Sequence, residues 1–261
     1  MIYALWRYRA FIFSSAKREF NSRYLGSKIG FVWSLIHPLV LILIYTLVFS
    51  EIMRARLPGL DDKLAFGIYL CAGVLTWNLF SEIITRSQTI FFENASLLKK
   101  SSIPRICFPA ILLVSAAMNF LVVFSVFLAF LVVTGRFPGI VVLSCIPLLA
   151  IQSALSVGIG IIAGTFNVFI RDVGQVIGVL MPFWFWLTPI VYPISILPEY
   201  VREWLYLNPM VAVIEGYQRI FVQGAQPAWT SLAPALILGI TTFALAVLVF
   251  RKHSDELVDE L

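Results

Sequence analysis

The sequence predicts an all-α polytopic membrane protein with six transmembrane helices, an N-terminal amphipathic interface helix and an outer re-entrant helical hairpin between spans 5 and 6. Three observations predict it. Of 261 residues, 60% are hydrophobic and only 13% charged, with a mean hydropathy of +0.93, whereas a soluble domain of this length fills its core with far fewer apolar residues. Several stretches run uncharged for at least the about 20 residues that a helix needs to cross ~30 Å of hydrocarbon. In hydrocarbon each crossing must satisfy its own backbone hydrogen bonds, so helices are the default. Basic residues are distributed unevenly between the two sets of connecting segments.

Residues 1–28 are no span, because Arg7, Arg9, Lys17, Arg18, Arg23 and Lys28 interrupt them. On a helical wheel Ile2, Trp6, Phe13, Phe20 and Tyr24 share one face, while Arg7, Ser14, Arg18 and Asn21 share another. The pattern fits an amphipathic helix lying on a membrane surface against anionic headgroups, or a soluble cap helix.

Span 1 is expected over 29–50, bent at Pro38. Span 2 covers 64–84, and Glu82 and Arg86 at its end are spaced i, i+4 for pairing. Span 3 falls in 106–135 and span 4 in 138–167, where Ser156, Gly160 and Gly164 sit four apart. That spacing allows close helix packing and is equally compatible with a lipid-facing helix. Span 5 is expected over 173–192 and span 6 over 232–250.

Between the last two spans, Pro189, Pro193, Pro198 and Pro209 break any continuous crossing. Two short amphipathic helices, 198–207 and 211–222, are too charged to span. They fit a re-entrant or surface hairpin over 194–228 that carries Trp204, Tyr217 and Arg219.

Six spans place both termini on one side. Thirteen of the 19 Lys and Arg residues then lie on that side and six on the other, so the positive-inside rule puts both termini in the cytoplasm.

The composition argues against several chemistries. Cys71, Cys107 and Cys145 are scattered singly in apolar context, and no metal-ligand spacing occurs. No cleavable signal is expected, since the N-terminus carries charges and aromatics rather than an apolar core. The spans contain almost no ionisable group beyond Glu82 and His37, and a lone His before Pro38 reads more simply as a structural hydrogen-bonder than as a catalyst. Mid-membrane carboxylates of the kind ion-coupled transport uses are missing. There is no phosphate-binding GxxxxGK[ST] loop, so an energy source must lie on another polypeptide.

Aromatic residues are the abundant resource. Trp33, Tyr45, Trp77, Phe183, Trp184, Trp186 and Tyr192 are candidate channel and polymer contacts, since flat ring faces stack on sugar C–H faces without gripping one sugar. The alternative is an interfacial belt or plain core packing. The basic loop 93–105 between spans 2 and 3, read from the residues alone, is equally a topology signal.

The residues REFNSRYLGSKIGFVWSLIHPL at 18–39, AGVLTWNLFSEII at 72–84, ENASLLKKSSIPRICFP at 93–109, FNVFIRDVGQVIGVLMPFWFWLTPIVYP at 166–193 and LNPMVAVIEGYQRIF at 207–221 occur in a telling order. With LIYTLVFSEIM at 43–53 they span nearly the whole chain. In that order the chain resembles the membrane subunit of ABC transporters that export polysaccharides, the O-antigen, capsule and teichoic acid permeases, with the O-antigen branch most similar.

The resemblance implies a bacterial inner-membrane homodimer with a channel lined mainly by spans 1 and 5, exporting an undecaprenyl-linked polysaccharide. It implies two copies of a cytoplasmic ATPase that carries the ATP and Mg, with no cofactor, metal or catalytic residue in this chain and no nucleic acid. Segment 93–105 would be the coupling helix that docks on the ATPase, through Glu93, Asn94, Leu97, Leu98, Lys99, Lys100, Pro104 and Arg105. Arg171 and Asp172 would be the second cytoplasmic turn. Trp6, Phe13, Arg18, Phe20, Arg23 and Tyr24 would belong to the interface helix. Rival readings are a drug or lipid exporter of related type, and a membrane-bound glycosyl- or acyltransferase, for which essential polar residues in a span do not stand out.

Overall fold

The computed structural model describes residues 2–22, 32–48, 57, 62, 64–100, 103–254 and 256–260. Every regular element among them is helical. Four helical stretches are long and apolar enough to cross a membrane: Ala65–Ser87, Cys107–Val133, Gly139–Phe169 and Trp229–His253.

The helix Ala65–Ser87 (α4, counting Ile2–Arg7 as α1, Arg9–Ser22 as α2 and Trp33–Tyr45 as α3) forms the axis of the molecule. At ~1.5 Å per residue it is about 34 Å long. Most of its residues are buried, against Cys107–Val133 (α7, after the short α5 Ile90–Glu93 and α6 Ala95–Lys100), Cys145–Phe169 (α8) and Pro209–Gln218. The core forms two layers along it. Ile68 to Phe80 pack with Phe127, Leu148, Leu155, Ile190 and Tyr217, while Ile83 and Phe91 pack with Leu98, Phe108, Val168, Phe250 and Leu257.

Small residues set the helix spacing. A Cβ at Gly160 would stand 2.6 Å from Ser87 Oγ, and one at Gly164 would strike the Ser87 backbone. The Ser156–Gly160–Gly164 stripe is therefore a contact with α4 rather than a lipid-facing surface. Gln152 crosses the same interface, its Nε2 donating to the Thr76 carbonyl at 2.7 Å. Such bonds inside a bilayer contribute roughly 0.6–2 kcal/mol.

The expected span 5 is helical only over Asp172–Trp186 (α9), and Leu187–Tyr192 turns away. Proline chemistry accounts for the end, because Pro189 and Pro193 cannot continue the ladder. Side chains from distant elements take up the freed carbonyls. Tyr69 Oη donates to Pro189 O at 3.1 Å and to Tyr192 O at 2.9 Å, Gln218 Nε2 reaches Pro189 O at 3.3 Å, and Tyr192 Oη donates to Trp186 O at 2.7 Å. Broken backbone is tolerated in hydrocarbon only where protein satisfies it in this way. Helix α3, with Pro38 inside it, is followed by a π-helical turn at 46–48. Residues 29–31 and 49–50 of the expected span 1 lie outside the described residues.

Beyond α9 come Glu199–Leu205 (α10) and Pro209–Gln218 (α11), the latter continuing as a π-turn through Gln223 to Gly224 at φ 62°. Ala233–His253 (α12) packs along α8, and Glu256–Glu260 (α13) closes the chain.

Candidate functional site

The basic end of α4 gathers most of the expected coupling residues. Helices α5 and α6 follow it directly, separated by Asn94. Thr89 Oγ1 donates to Glu93 at 2.7 Å, and Asn94 Nδ2 donates to Ile90 O at 2.8 Å, so Asn94 joins the two turns. Leu97 is 43% exposed while Leu98 is 8% exposed, packed with Phe91, Phe250 and Leu257. Of the two leucines expected to dock, Leu97 is thus the one at the surface. A six-residue helix has one face for the core, and Leu98 occupies it. Lys99 and Lys100 are exposed. The Pro104 carbonyl accepts from Cys107 N at 2.9 Å, opening α7, and Arg105 Nη1 donates to the Ser254 carbonyl. The C-terminal segment therefore braces the loop from the far end of the sequence.

Arg171 and Asp172 are exposed at the start of α9. Buried Asn167 holds that turn. Its Nδ2 donates to Gln88 O at 2.8 Å and its Oδ1 accepts from Gly174 N at 2.8 Å, which links the ends of α4 and α8 to the first turn of α9.

Beside this turn the Glu82–Arg86 pair expected from i, i+4 spacing forms at 3.0 Å. Arg86 also pairs with Glu19 of α2, and Asn119 Nδ2 of α7 donates to Glu82 at 3.1 Å. One guanidinium between two carboxylates thus ties the N-terminal helix to the axis. Helix α2 packs Ile12 and Ala16 against Cys107 and Ile111 and buries Phe20 as well, whereas Trp6 and Phe13 are exposed. Over the described residues 2–22 the one expected apolar face divides, with Phe20 buried and Trp6 and Phe13 exposed, since a wheel cannot tell which side of a helix meets protein. Arg9 lies 4.7 Å over the Trp6 ring, a cation–π contact. Arg18 is exposed, and Arg23 and Tyr24 lie outside the described residues.

The aromatic candidates divide. Trp77 is 5% exposed and packs among Phe80, Trp184 and Phe185 at centroid distances of 5.4, 6.2 and 5.8 Å. It is a core residue, and its assignment as a polymer contact is withdrawn. Trp184 is half-buried, with Nε1 donating to Asn208 Oδ1 at 2.9 Å. The same Asn208 caps α11 through Met210 N at 3.0 Å and donates to Thr188 Oγ1 at 2.9 Å. Tyr45 packs against Phe66 and Tyr69. Trp33, Phe183 and Trp186 are exposed, and Tyr192 is half-buried. In the hairpin Trp204 and Arg219 are exposed, but Tyr217 is 1% exposed and belongs to the core.

Glu19, Asn119, Asn167, Asn208 and Leu257 escaped the sequence reading. Isolated Asn residues within or beside apolar runs were the available signal for three of them, because a polar group there must find a partner.

A protein-family model described as ABC-2 type transporter matches residues 11–222. The chain belongs to this ABC-2 family of transporter membrane proteins. Relatives run the length of the chain. The O-antigen export system permease protein RfbA of Myxococcus xanthus is 27% identical over 263 residues, covering 100% of this chain and 99% of that one. RfbA of Klebsiella pneumoniae is 30% identical over 239 residues, 90% of this chain and 88% of its own. The polysialic acid transport protein KpsM of Escherichia coli is 21% identical over 245 residues, 92% of each. An ABC-2 membrane component with a basic loop at one end of its axis is a transporter subunit.

Proposed function

We propose that this chain is the channel-forming permease subunit of an ATP-driven exporter that moves lipid-linked polysaccharide of O-antigen type across the bacterial inner membrane. The observation that carries this reading is the full-length similarity to permeases named for O-antigen export. The similarity to polysialic acid transport proteins makes capsular polysaccharide the second reading.

In this account α3 and α9 complete six spans around the four long helices, and both termini face the cytoplasm. The α10–α11 hairpin re-enters from the outer side. A second copy of the chain faces the exposed apolar sides of α3 (Trp33, Leu43), of the turn after it (Leu47) and of α9 (Val179, Phe183, Trp186), with the channel between the two copies. Two ATPase subunits bind the α5–α6 loop through Leu97, Lys99 and Lys100, with Arg171 and Asp172 as a second contact. ATP and Mg belong to those subunits. Displacement of α6 reaches the core through Leu98, and Asn167 passes it to α9, whose exposed aromatics face the undecaprenyl-linked polymer.

Removing the chain should trap undecaprenyl-linked polymer on the cytoplasmic face, and normal surface polymer would refute the reading. A cysteine at Ser195 should react with an impermeant reagent from outside, and one at Ser254 only after permeabilisation; the reverse pattern overturns the topology.

A further inference from the structure

The end of the molecule away from the coupling loop holds a cavity of about 470 Å³ between α4, the 193–195 turn and the α11 π-turn segment. That size falls within the roughly 300–1,000 Å³ of small-ligand sites. Glu215, Arg219 and Gln223, spaced four apart, all line it. Although i, i+4 spacing favours pairing, Glu215 and Arg219 form no ion pair among the described residues, and neither Arg219 nor Gln223 makes a side-chain hydrogen bond among them. Among the described residues Glu215 has one polar contact, from Tyr206 Oη at 3.4 Å.

The walls are built rather than incidental. Tyr69 is anchored by its bonds to Pro189 and Tyr192, and buried Gln218 by its bond to Pro189. Arg202 fixes the rim through Leu197 O at 2.7 Å and Ser195 O at 3.0 Å. The result is one carboxylate touched only by the Tyr206 hydroxyl among the described residues, with one guanidinium and one primary amide that are not paired to it, and tyrosine rings beside them.

We propose that this cavity is a saccharide subsite, taking one or two sugar residues of the polymer at the outer mouth. The charge balance selects the ligand class. A single cation beside a carboxylate is a poor anion site, and a single carboxylate is a poor cation site. Spaced donors and acceptors that sum to no net charge match vicinal hydroxyls, and the tyrosine rings supply apolar area for sugar C–H faces. The proposal rests on the polysaccharide-export reading and adds a place where the chain holds polymer within one protomer.

The test uses the full-length protein in lipid nanodiscs with a reactive cysteine at the rim, Ser231→Cys, and a control outside the cavity, Tyr200→Cys. The probe is the host cell's surface polysaccharide, delipidated and hydrolysed to short oligosaccharides. Maleimide labelling of Ser231→Cys should slow on the order of tenfold once the probe stands about ten times above its half-protecting concentration, with Tyr200→Cys unaffected. Adding Arg219→Ala and Gln223→Ala, both exposed residues of the lining, should abolish protection without changing the melting temperature. Equal labelling with and without probe, or equal protection at both cysteines, overturns the subsite. Failure of the export reading would be seen separately, as normal surface polymer in cells lacking the chain.

Discussion

The buried Asn167 side chain donates to the backbone carbonyl of Gln88 at 2.8 Å, joining the end of α8 to the end of α4. Because its Oδ1 also accepts from Gly174 N, one amide couples the axis of the molecule to the first turn of α9. Asn167→Leu leaves a carbonyl and an amide unpaired, at a cost of about 1–3 kcal/mol each. We expect a lower melting temperature in nanodiscs and a larger loss of ATPase stimulation by substrate than the stability change accounts for. A variant that melts lower yet retains full stimulation would remove Asn167 from the coupling route.

Arg86 stands between Glu19 and Glu82. Arg86→Ala should cost more than Glu19→Ala, because it removes the countercharge of two carboxylates while the reverse change leaves the Glu82 pair intact. The expected loss is roughly 1–3 kcal/mol, since the group keeps some contact with solvent. The double variant Arg86→Ala with Glu82→Gln should recover part of it. Thermal unfolding of the three proteins decides the matter, and a non-recovering double variant would mean that packing rather than charge is at stake.

The neighbouring leucines of α6 make opposite predictions. Leu97→Asp should leave the fold intact and weaken co-purification with the ATPase, whereas Leu98→Asp places a charge among Phe91, Phe250 and Leu257 and should prevent stable insertion. Equal effects of the two substitutions on expression would contradict the assignment of Leu97, rather than Leu98, as the docking leucine.

Much of this architecture was legible in composition. Uncharged runs located α4, α7, α8 and α12, because hydrocarbon thickness imposes a length that local residue type alone must meet. The end of α9 was not, since the carbonyls freed near Pro189 are satisfied by Tyr69 and Gln218, remote in sequence. For the same reason Trp77 looked like a candidate contact. An aromatic side chain carries no local mark that tells a core from a channel. Leu98 is grouped with Leu97 among the docking residues by resemblance alone, because two adjacent leucines in so short a helix define no periodicity.

Glycines give a paired test of packing. A Cβ at Gly160 meets Ser87 Oγ at 2.6 Å, whereas one at Gly178 meets nothing within 4 Å in the protomer. Gly160→Val should destabilise the fold by about 1–3 kcal/mol. Gly178→Ala should leave the unfolding profile unchanged, while Val179→Arg, at an exposed position on the α9 face assigned to the second copy, should shift the proposed dimer towards monomer by light scattering. A dimer indifferent to Val179→Arg would move the interface elsewhere.

Burial raises the Glu215 carboxyl above its ordinary value, with the Tyr206 hydroxyl opposing the shift. The folded hairpin holds this proton over a range in which the unfolded chain has released it. The stability it contributes is full below the ordinary carboxylate value and declines as pH rises through the raised one. Glu215→Gln should melt like the unaltered protein in acid and above it as the pH is raised. An advantage equal at every pH would contradict the shift.

The central claim is that this chain carries polysaccharide across the membrane under power delivered at the 93–105 loop. The direct measurement is surface polymer, alongside undecaprenyl-linked polymer retained inside, in cells lacking the chain and then supplied with the unaltered protein or with Lys99→Glu and Lys100→Glu together. The account predicts that the unaltered protein restores surface polymer, while the charge-reversed protein inserts normally, loses the ATPase and leaves the polymer inside. Surface polymer at normal levels without the chain would contradict the export reading, and full export by the charge-reversed protein would contradict the coupling loop.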